Sequence, residues 1–145
     1  MAQTSVHIRT AHDASFAIGW AGKHALAIDR PESEGGSGFG FSGGDLLLLA
    51  VGAGYANALQ REAAERGITI FGLRVVVEGD WGGEPRRAQN VRVCARVEAD
   101  ADEEQLLALL EHAHEISEVK SSLAHGTDLE LADIEGVCLE VETRR

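Results

Sequence analysis

Apolar positions along the chain change period several times, and each change marks an element. Val6 and Ile8 alternate with Ser5, His7 and Arg9, and Phe16–Trp20 and Ala25–Asp29 read as two further strands joined through Ala21-Gly22-Lys23 as a hairpin. Periodicity then disappears. The segment Arg30–Gly44 carries six glycines together with Pro31, which predicts a mobile loop without regular structure. From Ser42 to Gly67 the pattern turns helical: Ser42 followed by Asp45 is a capping-box pair, and Gly67 suits the left-handed position past a helix end. Between Leu46 and Ala56 the only polar side-chain atom is the Tyr55 hydroxyl, so this half is expected to be buried on every side. Farther on, Ala56, Leu59 and Ala63 keep an apolar stripe while Gln60, Arg61, Glu62, Glu65 and Arg66 supply the wet side.

Alternation returns in Ile68–Asp80 and Ala88–Ala99. Gly82, Gly83 and Pro85 between them predict an antiparallel hairpin with a long tip. Asp100 or Asp102 can cap a second helix whose apolar face is Leu106, Leu107, Leu109, Leu110, Ala113 and Ile116. A helical turn over Lys120–Ala124 should end at Gly126, and Leu129 and Leu131, then Val137, Leu139 and Val141, read as returning strands. These elements predict an α+β fold in one domain spanning 1–145. Its parts are an N-terminal β section (1–30), a glycine-rich loop (31–44) and a helix and sheet core (45–145).

Length supports that reading, since 145 residues bury roughly 68–70% of the unfolded chain's surface in a single core without a metal or disulfide. A net charge of −11 argues against nucleic acid and anionic membrane as partners and favours a small molecule or another protein. The apolar run Leu46–Gly54 is too short for the ~20 residues of a membrane span, and the first residues lack a signal pattern, so a cytoplasmic protein is expected. Cys94 and Cys138 each sit in strand-like alternation and are expected to be buried, reduced thiols.

Candidate chemistry is sparse. Gly52 and Gly54 each cost roughly 1 kcal/mol relative to alanine inside a helix. With Ala53, Ala56 and Ala58 they form a small-residue surface that admits a close neighbouring element or a ligand. The run Gly38–Gly43 matches G-x-G-x-x-G, but the strand before it ends too early and the strand after the helix turns into a hairpin, which disfavours a dinucleotide site. His112 and His114 point to different helix faces and His125 lies across a turn, so no metal or other cofactor is expected.

The order of elements and several stretches resemble the OsmC/Ohr family of osmotically inducible and organic-hydroperoxide-resistance proteins. The matching residues are Ile28-Asp29-Arg30-Pro31 with Gly35-Gly36, Asp45–Ala58, Val77-Glu78-Gly79-Asp80, Leu106–Leu123 and Gly126-Thr127. The resemblance implies a two-layer α+β sandwich in an intertwined homodimer, with the central helix buried and sites at the subunit interface. It also implies thiol peroxidase chemistry by two cysteines, whose positions here are Gly54 and Ser117. The family's helix-start carboxylate corresponds to Asp45, or its position to Gly44, and Lys23 and Arg30 are loop candidates for the family's arginine. With both sulfurs missing, the expectation is a member that has lost peroxidase activity. It would bind a small, partly apolar molecule, or do non-thiol chemistry, at an interface pocket using Asp45, Gly54, Tyr55, His114, Ser117 and Glu118. The alternatives are hydroperoxide reduction through Cys94 or Cys138, and a structural or interaction dimer without a ligand.

Overall fold

The computed structural model describes residues 1–132. Strands β1 (His7–Thr10), β2 (Ala17–Ala21) and β3 (His24–Ile28) form an antiparallel sheet in that order. Gly22 and Lys23 make the β2–β3 turn, with Gly22 at φ 59°, a left-handed backbone that residues with a side chain adopt only with strain. The register sets Ile8, Gly19 and Leu26 side by side, and alternation adds Val6 and Ile28 to their face. Val6 and Ile8 remain 64% and 66% exposed, so among the described residues this apolar face is largely uncovered.

The central helix α1 runs Gly43–Glu65 with Ser42 as N-cap and the reciprocal Ser42–Asp45 capping box formed. It packs on a second antiparallel sheet, the hairpin of β4 (Ile70–Gly82) and β5 (Arg87–Ala99). The strands reach farther toward the tip than their alternation predicted, because Trp81 pairs with Ala88 and Gly82 with Arg87. Trp81 is held there by more than the ladder: a Cβ on Gly44 of α1 would meet its indole ring at 2.9 Å. Helix α2 (Glu103–Ile116) starts at Asp102, which forms a capping box with Gln105, and α3 (Glu118–His125) ends at Gly126. Tyr55, Ala58, Leu59 and Ala63 of α1 meet Leu109 and Ala113 of α2 and Ile68 to form the buried core. The fold is α+β, with antiparallel sheets and three helices.

Three sequence expectations change. Among the described residues α1 is covered mainly on its face toward α2, α3 and β4, so Leu49, Ala50 and Ala53 are exposed and the first half of the helix is not buried on every side by them. Leu107 is 56% exposed because it points away from the face of α2 that carries Leu109 and Ala113. Leu129 and Leu131 belong to no strand and are exposed. The strand expected at Val137, Leu139 and Val141 lies outside the described residues.

The glycine-rich loop is also more ordered than its composition suggested. Glu32–Glu34 forms a 3-10 turn, and the loop closes on Asp29, which is 4% exposed. The Asp29 carboxylate accepts from the Ser37 hydroxyl at 2.7 Å and from the backbone N–H groups of Arg30, Ser37 and Phe39 at 2.8, 3.0 and 3.2 Å. The far end of the loop is tied back to β3, since Phe41 donates to the Ala27 carbonyl and accepts from the Asp29 N–H. Gly36 and Gly40 are required by this closure: a Cβ on either would overlap the backbone of Arg30 or Ala27.

The Ser37 hydroxyl, helped by the three N–H donors and opposed by burial, lowers the pKa of Asp29 from 3.8 to about 2. A folded-state pKa below the unfolded value means that the carboxylate contributes stability in full above pH 3.8 and loses it as pH falls toward 2. Thermal melts between pH 6 and 2 should therefore steepen downward below pH 4 for the wild type. Asp29→Asn should melt lower at pH 6 and show a shallower decline; an unchanged acid limb would mean the loop is not anchored through this charge.

Candidate functional site

Helix α1 crosses the junction between α2 and α3 at Gly54. A Cβ placed there would lie 3.0 Å from Val119 Cγ2 and 3.2 Å from Ser117 Oγ. Ser117 ends α2 and begins α3 with an extended backbone (φ −61°, ψ 118°), and it is 1% exposed. Its hydroxyl has no hydrogen-bond partner among the described residues, an arrangement that typically costs about 1–3 kcal/mol. Residues 54 and 117 therefore face one another. Neither offers an activated nucleophile: glycine has no side chain, and among the described residues no base lies within hydrogen-bond reach of the serine.

Tyr55 is buried beside this junction and donates its phenol to the Leu110 carbonyl at 3.1 Å. Burial raises its pKa, so the ring stays a neutral donor at physiological pH. The His114 imidazole stands edge-on to it, with centroids 6.2 Å apart at 74°. His114 itself is exposed. Gly54, Tyr55, His114 and Ser117 thus fall in one neighbourhood. The other two predicted positions do not join them. Asp45 lies about two and a half helical turns earlier, its carboxylate accepting from the Ser42 N–H and hydroxyl at 2.9 Å each. Glu118 is exposed in the first turn of α3, where a negative charge favours the helix. Because Asp45 already supplies a carboxylate to the start of α1, the Gly38–Gly43 loop is not left as an open phosphate cradle.

Open clefts flank the first half of α1. One of about 410 Å³ lies between α1, β5 and α3, walled by Leu47, Leu48, Val51 and Val93, with His114 and Lys120 as its basic groups. Another of about 670 Å³ lies between α1 and β4, lined by Leu49, Gly52, Ala53, Leu73 and Val77. A third, about 470 Å³, is more polar and brings Asp29, Arg30, Asp45, Trp81 and Arg86 together. Among the described residues no three His, Cys, Asp or Glu side chains gather to hold a metal.

Lys120 was not singled out by sequence reasoning, although a signal existed: it is one of only two lysines in an acidic chain. Arg30 donates to the carbonyls of Glu34 and Gly35 at 3.4 and 3.3 Å and so braces its own loop. Lys23 sits in the exposed β2–β3 turn. Cys94 is exposed rather than buried, because its register opposite Val76 places it with Arg92 and Arg96 on the outer side of the hairpin, away from α1. Cys138 lies outside the described residues.

An α+β chain whose long helix is opened by glycines to a hairpin on one side and to a helix junction on the other defines a class that comparison identifies. The family model described as OsmC-like protein matches residues 34–132, and the chain belongs to this family. An OsmC-like protein of Mycoplasma pneumoniae is 16% identical over 85% of this chain and 88% of its own, with a TM-score of 0.73. An OsmC-like protein of Vibrio cholerae is 10% identical over 84% and 94%, with a TM-score of 0.71. An organic hydroperoxide resistance protein of Elizabethkingia anophelis is 14% identical over 84% and 88%, with a TM-score of 0.65. At these identities the likeness is one of fold. No curated protein matches the chain in sequence.

The apposition of residues 54 and 117 can be trapped. In the double variant Gly54→Cys, Ser117→Cys the sulfurs should close a disulfide on mild oxidation, since a Cβ at 54 would lie only 3.2 Å from the Ser117 Oγ, within reach of an S–S bond of about 2.05 Å. Thiol titration should then lose two groups per chain relative to the reduced protein. Retention of both thiols would show that the junction does not bring these positions together.

Proposed function

We propose that this OsmC-family protein works as a homodimer that holds a small, partly apolar molecule in a cleft beside α1 and does not reduce hydroperoxides by thiol chemistry. The observation that carries the reading is the contact of Gly54 with Ser117. Thiol peroxidase chemistry needs a thiolate to attack the peroxide oxygen, becoming a sulfenic acid, and a second thiol to displace water and form a disulfide. The two positions at the junction provide the approach such a pair would need and neither sulfur. Cys94 does not replace them, since it stands on the opposite side of the hairpin with no second cysteine beside it among the described residues.

Two uncovered surfaces support the dimer. Val6, Ile8 and Leu26 line one face of the N-terminal sheet, and Phe41 and Leu49 are exposed along the start of α1. Contiguous apolar surface of this kind is unusual on a monomer and suits a second copy of the chain. No helix among the described residues is long and apolar enough to cross a membrane. The cytoplasm fits an exposed, reduced Cys94. There the protein would contribute to the stress responses that characterise its family by sequestering or presenting a ligand.

In an assay coupling reductant consumption to an organic hydroperoxide, the wild type should match a no-protein control. Turnover well above it would reject the reading and direct attention to Cys94 and Cys138. Light scattering at micromolar concentration should give twice the chain mass, whereas a cooperative monomer would remove the dimer from the proposal.

A further inference from the structure

The cleft between α1, β5 and α3 combines two features that rarely coincide in so acidic a protein. Its walls are apolar, from Leu47, Leu48, Val51 and Val93, yet Lys120 and His114 open into it. Lysine is scarce here, at two residues against 24 acidic ones, and Lys120 is partly buried rather than extended into water. Neither Lys120 nor His114 takes part in an ion pair among the described residues. A half-buried ammonium over apolar side chains loses hydration, and none of the described carboxylates pairs with it. His114 is moreover held in place by the Tyr55 ring, which the Leu110 carbonyl fixes in turn.

We infer that the ligand of this cleft is an apolar molecule carrying one carboxylate, with the carboxylate paired to Lys120 and hydrogen-bonded by His114 and the apolar body lying along Leu47, Val51 and Val93. This rests on the reading that a cleft beside α1 binds a small molecule, and it adds the charge and orientation of that molecule. The cleft volume of about 410 Å³ is within the roughly 300–1,000 Å³ of small-molecule sites. Charge complementarity selects the head group: the local cation attracts an anion that the net charge of −11 would otherwise repel, so only a ligand reaching Lys120 gains from its charge.

Decanoate and 1-decanol, which share an alkyl body and differ in the head group, separate the parts of this inference by calorimetric titration below their micellar or solubility limits. Decanoate should bind one per chain and at least about tenfold more tightly than decanol, the effect of a charge-assisted hydrogen bond. Lys120→Gln should bring decanoate down to the affinity of decanol while leaving decanol unchanged, and Lys120→Arg should retain the preference. His114→Gln should reduce decanoate affinity by a smaller factor. Equal affinity for the two probes, or a Lys120→Gln variant that weakens both alike, would overturn the head-group assignment while leaving the ligand-binding reading intact. Binding of neither would overturn both.

Discussion

Close approach to one helix is the constraint on which the rest of the structure depends. A Cβ on Gly52 would stand 3.1 Å from Val77 of β4, one on Gly44 would press on the Trp81 ring, and one on Gly54 would crowd Val119 and Ser117. Three glycines thus let α1 lie against the hairpin on one side and the α2–α3 junction on the other. Gly52 and Gly54, inside the helix, each give up about 1 kcal/mol of helix propensity relative to alanine, which burial of neighbours such as Leu59 and Leu109 offsets at about 25 cal/mol per Å² of apolar surface. Larger residues would lift the helix off both neighbours and open the core that Tyr55, Leu59 and Leu109 close.

The same closeness decides what chemistry is available. A helix brought within van der Waals reach of a second chain segment is a suitable frame for two thiols, and here it holds a glycine and a buried serine instead. The Ser117 hydroxyl remains without a partner among the described residues, so the site keeps a polar atom in an apolar wall while offering no base to activate it. The open space lies one to two turns back along α1, where Leu47 and Val51 wall a cleft with Lys120 and His114 opposite.

At the other end of α1, order comes from a buried charge rather than from apolar packing. Asp29 gathers donors from Arg30, Ser37 and Phe39, and the loop that feeds the helix is thereby fixed to β3. The start of α1, Trp81 and the ion pair of Arg86 with Glu34 at 3.4 Å then border one polar cleft. That exposed pair is worth little by itself, so the loop's position depends chiefly on Asp29.

Local pattern by itself determined the elements: the Ser42–Asp45 capping box, the Asp102 cap, the alternation of β4 and β5 and the break at Gly126 all act through neighbours a few residues away, so they are written in sequence order. The resemblance pairs Gly54 with Ser117, and the packing of α1 on the α2–α3 junction is what sets the two face to face. Tertiary structure alone decided which apolar faces are covered. Leu49 and Leu107 look like core residues in sequence and are exposed, because burial depends on whether an element from elsewhere in the chain arrives opposite them. Alternation also could not tell which side of the hairpin faces α1, so Cys94 read as buried and is not. Lys120 acquires its meaning in the same way, from apolar walls such as Leu47 and Val51 that are far from it along the chain and reach it only through the packing of α1 against α3.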